Sequence, residues 1–385
     1  MSRDWKPLPI YCRKGGAVPH EKFMKLTFPH FGNTHLVLDL YLADLGIQVV
    51  TPSRNSAQTL VEGSLYAPEE MCLPFKLMIG NLMEAYRKGA DTVVMPASQG
   101  PCRLGEYAEL LRVILEKEGI QYRWILLDAP GSIGWEEFQR RIQEMLGAGG
   151  AGSRTILTKG VQMVRLNQRL ERLERRIRSL GGHVMEPRKL PALLRQCREG
   201  LEQASGLAEG LAVVRSAEVR LRQLPLAPDR KPIRILLTGE LFSMIEPFAS
   251  HYLEEHLLSQ GISLEKQVTL GWWLRQNGGH PWMRFRAWVD RRRKNPYLNH
   301  AIGGFARETV EESWLSRNRD IDGILQVFPS GCMPEIVAKS VLGKMAKDQN
   351  LALMTLIFDE MSGEAGYQTR VEAFADLLER RRYKN

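Results

Sequence analysis

Short apolar runs alternate with longer amphipathic stretches along most of the chain. Runs rich in branched and aromatic residues lie at 25–31, 47–51, 92–98, 122–127, 233–238, 263–270, 324–328 and 351–358. Helical spacing of apolar positions fills most of the intervals between them. Strands that alternate with helices are typical of parallel sheets with helical crossovers. We therefore predict an α/β protein with two comparable α/β halves, each built on a parallel sheet.

A long helical pattern separates the two α/β halves. Apolar residues follow one another at spacings of three and four from Leu166 to Leu180, with Arg169, Arg172, Arg175, Arg176 and Arg178 beside them. The glycine-rich run at 147–152 follows a helix, whereas a dinucleotide-binding loop follows a strand, so we interpret it as a linker. We predict an amino-terminal extension at 1–24, a first α/β domain at 25–152, a basic helical insertion at 153–230 and a second α/β domain at 231–385.

The positive charge of the chain is concentrated in this insertion. The formal net charge is +9, and residues 151–231 hold 17 Lys and Arg against eight Asp and Glu. Such a segment can meet nucleic acid or the phosphates of a coenzyme, or it can present a solvated helix face. The insertion lacks the interleaved aromatic residues of a single-strand platform, so we favour the solvated face and expect no nucleic acid partner.

The chain has neither a membrane span nor a disulfide framework by sequence. No apolar run approaches the roughly 20 residues that cross a bilayer, and the amino terminus lacks the apolar core of a signal peptide. Five cysteines in 385 residues are too few for a disulfide scaffold and include no Cys-x-x-Cys pair. We expect a cytoplasmic protein without a membrane partner, whose thiols are reduced.

Three cysteines share one kind of setting. Cys102 and Cys332 follow apolar runs at the predicted starts of helices, and Cys72 lies in the first turn of another helix. Unpaired N–H groups at a helix start favour a thiolate, which lowers the pKa and suits metal ligation. Three thiolates are one short of a closed tetrahedral zinc site or of a fully cysteine-ligated four-iron cluster. A four-iron cluster held by three cysteines would leave one iron open. The alternative is three inert thiols in loops rich in Gly and Pro, while Cys197 in the insertion is interpreted as structural.

Other polar residues lie at the predicted ends of strands. His30 follows the first strand and is a weak catalytic candidate, with a structural cap as the alternative. Glu240 and Glu335 are weak candidates for proton donors, although a carboxylate at a helix start is more often a cap. Lys76 and Arg103 can offset negative charge beside Cys72 and Cys102.

Several longer motifs carry a resemblance to a known family. They are FPHFGN at 28–33, PEEMCLPFK at 68–76, GPCRLGEY at 100–107, LTGE at 237–240, CMPEIV at 332–337 and DEMSGEAGYQTRVE at 359–372. In this order they resemble the acyl-CoA dehydratase activase-related proteins (CoA protein activases). That family is similar to the iron–sulfur subunits of 2-hydroxyacyl-CoA dehydratases and benzoyl-CoA reductases, enzymes of anaerobic metabolism.

The resemblance implies two flavodoxin-like or Rossmann-like α/β domains that face each other across a crevice. It also implies a [4Fe-4S] cluster between them, with Cys72, Cys102 and Cys332 as its ligands. It implies electron transfer at low potential from an ATP-dependent activase of the actin-like ATPase type, which would act in trans. Cys12 is an alternative fourth ligand, and packing or disorder of the amino terminus is the other interpretation.

The resemblance leaves two roles open. If the chain is an enzyme, it is a lyase-like or oxidoreductase-like component that acts on an acyl-CoA substrate. Alternatively, it is a non-catalytic adaptor that docks an activase or a dehydratase through the basic insertion. Either role is compatible with a homodimer or a heterodimer.

Overall fold

The architecture comes from a computed structural model of the chain. The structure describes residues 24–96, 102–128, 133–147, 149–267, 269, 271, 295–298, 300, 302–361 and 363–382. The predicted extension at 1–24, apart from its last residue, therefore lies outside the described residues, as do Cys12 and the Gly100-Pro101 turn before Cys102.

Two four-stranded sheets, each entirely parallel, organise the fold. The first sheet contains β1 (Lys25–Thr27), β2 (Gln48–Val49), β3 (Thr92–Pro96) and β4 (Arg123–Leu127). The second contains β5 (Arg234–Gly239), β6 (Ser263–Glu265), β7 (Gly323–Pro329) and β8 (Ala352–Phe358). The strand orders are β2-β1-β3-β4 and β6-β5-β7-β8, so the two sheets have the same topology. The predicted pair of Rossmann-like α/β units is confirmed.

The helices fall into three groups along the chain. The first half has α1 (Thr34–Asp44), α2 (Ala57–Tyr66), α3 (Leu73–Arg87), α4 (Tyr107–Lys117) and α5 (Trp135–Gly147). The middle segment has α6 (Ser153–Leu180), α7 (Lys189–Gln203) and α8 (Leu207–Arg222). The second half has α9 (Leu241–Ile245), α10 (Leu253–Ser259), α11 (Ala306–Leu315), α12 (Met333–Asp348) and α13 (Glu364–Arg382).

The middle helices pack on both halves. α6 contacts α1 of the first half and β6 of the second, and α7 contacts α10. The predicted stripe on α6 is buried at Leu166, Leu170, Leu173 and Ile177. One hydrophobic core therefore continues from the first sheet through α6–α8 to one face of the second sheet. A smaller core lies on the other face of the second sheet, beneath α11 and α12.

Helix α2 occupies residues that the sequence pattern assigns to a polar connection. It packs against α3 by close backbone approach, which two glycines permit. A Cβ added at Gly63 would lie 1.7 Å from the carbonyl oxygen of Lys76, and one at Gly80 would lie 2.3 Å from that of Thr59. Helix α2 therefore holds α3, which carries Cys72 at its start, at a short fixed distance.

Three predicted elements differ in the structure. The acidic pair after Pro68 predicts a helix start there that Pro74 interrupts, but the helix begins at Leu73 and has Pro74 in its first turn. The apolar spacing over 247–260 predicts one helix, which is divided because His251 and Tyr252 have positive φ angles of 48° and 54°. The strand expected over 263–270 ends at Glu265, although residues 268 and 270 lie outside the described part.

The helices of the described residues differ from membrane-spanning helices. None of them combines the length and the apolar character that crossing a membrane requires.

Candidate functional site

Two of the three cysteines occupy equivalent places in the two sheets. Cys102 follows β3, and Cys332 follows β7, which is the third strand of the second half along the chain. Each of these strands lies beside the first strand of its sheet, β1 or β5, where the crossover connections diverge. Open α/β sheets bind ligands outside the carboxyl ends of strands at this point. Cys72 differs, because it lies in the crossover between β2 and β3.

Each of the three cysteines is the residue immediately before a helical segment. Cys72 precedes α3, Cys102 precedes a single 3₁₀ turn that continues into α4, and Cys332 precedes α12. Before Cys332 the chain turns at Gly331, whose φ of 75° is accessible to glycine at little cost. The predicted helix-start setting of all three thiols is present.

The two halves approach each other around these cysteines. A Cβ at Gly331 would lie 3.7 Å from the carbonyl oxygen of Glu70, two residues before Cys72. A Cβ at Gly304 would lie 2.9 Å from Pro334 and 3.9 Å from the Cβ of Cys102. Lys76 of α3 also forms an ion pair with Glu360, which follows β8. These contacts bring residues beside Cys72, Cys102 and Cys332 together, and we call this junction of the two halves the crevice.

Burial in the crevice changes the expected ionisation of the thiols. Burial raises the pKa of Cys72 to about 11, and it also raises the pKa values of Cys102 and Cys332. The N–H groups of Leu104 and Glu335 at the helix starts act in the opposite direction but are outweighed. The lowered pKa that the helix starts predict is therefore wrong for the chain without a bound cation, since desolvation is the larger effect.

Neighbouring negative charges also raise the pKa values of the thiols. The negative charges of Glu240 and Cys102 each raise the pKa of both Cys72 and Cys332. Glu240 and Cys102 therefore lie close enough to both Cys72 and Cys332 for their charges to interact. A cation in that region would reverse these effects, because it favours the thiolate form of each side chain.

Glu240 caps a helix at the mouth of the second sheet. Its carboxylate accepts hydrogen bonds of 2.8 Å from the backbone N–H groups of Phe242 and Ser243, and one of 3.0 Å from the Ser243 hydroxyl. Burial raises its pKa despite these bonds. The contacts of Glu240 are therefore those of a helix cap, which is the structural alternative that the sequence offers. Its charge also raises the pKa values of the thiols.

Glu335 lies behind Cys332 in the second half and is buried. Thr309 and Gln326 each donate a hydrogen bond of 2.9 Å to its carboxylate, and Gln326 accepts one of 3.1 Å from Thr355. Burial raises the pKa of Glu335 to about 7. Both carboxylate oxygens are occupied by these partners, so the group supports the start of α12 from within.

His30 is held inside the first half. Its Nε2 lies 2.7 Å from the carbonyl oxygen of Pro52, and its Nδ1 lies 3.1 Å from Nδ1 of His35. Burial and the neighbouring His30 lower the pKa of His35 to about 3. His30 is buried among these groups, so the structural interpretation fits it better than a place on the crevice wall.

The basic residues beside the cysteines serve contacts of their own. Lys76 is buried in its ion pair with Glu360, and Arg103 donates a hydrogen bond of 2.7 Å to the carbonyl oxygen of Glu70. Both hold the crevice wall in place, and their charges remain near Cys72 and Cys102. Cys197 is fully buried in α7, as its structural interpretation predicts.

Sequence reasoning assigned no role to two residues that the structure makes prominent. The hydroxyl of Tyr107 is hydrogen-bonded to Sγ of Cys72, and its position in the GPCRLGEY motif was the available signal. Arg178 belongs to the arginines beside the α6 stripe but is buried, and its guanidinium lies 3.1 Å from Glu254 of α10. Periodicity alone cannot distinguish this inward arginine from its exposed neighbours.

Part of the first half is recognisable by comparison. Residues 31–100 match the family model described as "CoA enzyme activase uncharacterised domain". The match includes Cys72 and ends just before Cys102. Over these residues the chain is therefore similar to activase-related proteins of CoA enzymes. No curated protein matches the chain in sequence.

Cys72, Cys102 and Cys332 form the candidate donor set for a metal or cluster. Within the described ranges, no group of three or more His, Cys, Asp or Glu side chains is already arranged to hold a metal ion. The chemistry of the donors nevertheless fits, since thiolates are the usual ligands of iron–sulfur clusters and three thiols border one crevice.

Proposed function

We propose that the chain is an iron–sulfur protein of the 2-hydroxyacyl-CoA dehydratase and benzoyl-CoA reductase type. Cys72, Cys102 and Cys332 would hold a [4Fe-4S] cluster between the two α/β halves. One observation carries the proposal: Cys102 and Cys332 lie at the switch points of the two parallel sheets, and Cys72, which like them precedes a helix, borders the same crevice. The family match over residues 31–100 supports a role in a CoA enzyme system.

The chain's own groups would define how such a centre behaves. When bound, the cluster supplies one-electron chemistry at low potential. Backbone N–H groups at the helix starts compensate negative charge on the thiolates, and Lys76 and Arg103 add positive charge nearby. The partial burial of the three cysteines limits access of water. Three ligands would leave one position for substrate or for a partner's ligand.

The electrons would come from an ATP-dependent activase of the actin-like ATPase type. In this proposal the chain passes them to a CoA thioester or to a dehydratase partner. The match to a CoA enzyme activase domain favours membership of such a system over an unrelated iron–sulfur function.

The first test is anaerobic reconstitution followed by iron and sulfide analysis. We expect about four irons per chain in the wild type and in Cys197→Ala, whose thiol lies in α7 away from the crevice. Cys102→Ala should retain neither iron nor sulfide. Fewer than about three irons per wild-type chain would contradict a four-iron centre.

The second candidate is a non-catalytic adaptor that docks an activase or dehydratase. The observation that favours it is the exposed basic face of α6, which includes Arg165, Arg172, Arg175 and Arg176. Its test is co-purification with the activase after Arg172, Arg175 and Arg176 are replaced by Glu. The adaptor role predicts that the complex is lost and that no acyl-CoA is turned over by the wild type, while turnover with the activase present would contradict it.

A further inference from the structure

The three thiols of the crevice do not have equivalent partners. Cys72 is hydrogen-bonded to the side-chain hydroxyl of Tyr107, whereas Cys102 and Cys332 are approached by backbone N–H groups of Leu104 and Glu335. A backbone N–H is common to every helix start, but a buried phenol at a thiol is specific to the side chain that supplies it. Tyr107 therefore distinguishes Cys72 from the other two.

Packing fixes the ring of Tyr107 in this position. Tyr107 is the first residue of α4 and is 3% exposed. Its ring packs edge-to-face on Phe75, with 5.0 Å between ring centroids and an interplanar angle of 71°. Phe75 is fully buried in the first turn of α3, and its backbone N–H donates a hydrogen bond of 3.0 Å to the carbonyl oxygen of Cys72. The same turn of α3 thus positions both the thiol and the ring that approaches it.

The direction of the hydrogen bond follows from the chemistry of the two groups. A tyrosine hydroxyl is neutral near pH 7 and can donate, and a metal-bound cysteine is a thiolate, which has no proton and can only accept. Hydrogen bonds to ligand sulfurs withdraw negative charge from the ligand and raise the reduction potential of the centre. Removing such a donor must therefore make the centre harder to reduce.

We propose that Tyr107 is a positioning residue that donates a hydrogen bond to the Cys72 thiolate and raises the reduction potential of the metal centre. This inference rests on the proposed function, because it assumes that Cys72 is a ligand. It goes beyond that function because it gives Cys72 a role that the other two ligands do not have. Through Cys72 and Tyr107, the first half of the chain sets the reduction potential of the centre. Tyr107 neither binds the metal nor contacts the substrate in this role.

The test compares Tyr107→Phe with a matched control. Tyr122→Phe also removes one tyrosine hydroxyl of the first half, which is half-buried and donates a hydrogen bond of 2.6 Å to the carbonyl oxygen of Leu82. Iron content, the thermal unfolding midpoint and the reduction midpoint potential are measured for the wild type and both variants. We expect equal iron content in all three, a lower potential in Tyr107→Phe and a wild-type potential in Tyr122→Phe.

A second change keeps the test decisive if Tyr107→Phe does not fold. Incorporation of 3-fluorotyrosine at position 107 makes the phenol a stronger donor with little change in size, so the potential should rise above that of the wild type. An unchanged potential in iron-loaded Tyr107→Phe or in the fluorinated protein would overturn the inference and leave the proposed function intact. Folded Tyr107→Phe without iron would also overturn it, because the inference assigns tuning and not retention. Absence of iron from the wild type would overturn both.

Discussion

The two halves of this protein share a topology but contribute different groups to the crevice. Both sheets have the same strand order, and both place a cysteine after the third strand, Cys102 in one and Cys332 in the other. The first half adds Cys72 and Tyr107 from the starts of α3 and α4, whereas the second half adds the carboxylates of Glu240 and Glu335. The comparison teaches that a repeated fold supplies the place for a site, while the crossovers between strands decide its chemistry.

The largest expected effect concerns the single thiol of the second half. If both halves hold one centre, Cys332→Ala should lose iron as completely as Cys72→Ala or Cys102→Ala, since two ligands from one half cannot retain a cluster that needs three. Iron analysis after anaerobic reconstitution measures this, with Cys197→Ala as the control. Full iron content in Cys332→Ala would show that the first half binds metal alone.

The connection between the halves through α6 should have the next largest effect. Arg178 is buried between Glu174 of its own helix and Glu254 of α10, at 3.8 Å and 3.1 Å. Because Arg178→Met leaves these carboxylates without that partner, we expect the free energy of unfolding to fall by about 3–5 kcal/mol. Arg175→Met, at an exposed position of the same helix, should change it by about 0.5 kcal/mol or less. Equal denaturation curves for the two variants would contradict this role of Arg178.

A smaller effect is expected where the halves meet directly at the crevice. Lys76 is 3% exposed and pairs with Glu360, which is 31% exposed. Lys76→Met should lower the free energy of unfolding by about 1–3 kcal/mol, less than a fully buried pair because water reaches Glu360. Lys88→Met breaks an exposed pair within α3 and should cost about 0–1 kcal/mol. If Glu360→Gln lowered the free energy of unfolding of Lys76→Met by as much as it lowers that of the wild type, the two residues would not be coupled.

The smallest effect concerns buried acids, of which each half has a comparable one. Burial raises the pKa of Asp39 in α1 to about 7, and burial likewise raises the pKa of Glu312 in α11 to about 7. The folded protein keeps these protons at a pH where the unfolded chain has lost them. The stability that the protonated acid contributes is therefore present below about pH 4 and is lost as the pH rises to about 7.

Urea denaturation from pH 4 to pH 7 measures this effect. The wild type should lose stability relative to Asp39→Asn over that interval. It should likewise lose stability relative to Glu312→Gln. Asp376→Asn, at an exposed position of α13, should remain parallel to the wild type. Parallel curves for all four proteins would mean that neither acid titrates abnormally.

Much of the fold is predictable because strands buried on both faces leave continuous apolar runs. Strands β7 and β8 begin and end within one residue of the apolar runs at 324–328 and 351–358. Helix α2 is not predictable in this way, because it depends on Gly63 and Gly80 meeting the backbone of another helix. The division of the segment over 247–260 depends on two left-handed residues, His251 and Tyr252, which have no strong local signature.

The candidate site is likewise predictable from the sequence only in its local features. The helix-start positions of Cys72, Cys102 and Cys332 follow from local sequence, since proline and glycine beside them mark the turns. Their raised pKa values do not, because desolvation depends on the tertiary packing around each thiol. The burial of His30 and the contact between Tyr107 and Cys72 likewise require the tertiary structure.

The most direct measurement of the central claim is the EPR spectrum of the anaerobically reconstituted, reduced protein, recorded with and without acyl-CoA. The account predicts the spectrum of a reduced four-iron cluster in the wild type and in Cys197→Ala, and its absence in Cys72→Ala, Cys102→Ala and Cys332→Ala. A change of that spectrum on addition of acyl-CoA would indicate substrate at the open position. A wild-type protein with no such signal, or a signal that survives loss of any one of the three thiols, would contradict it.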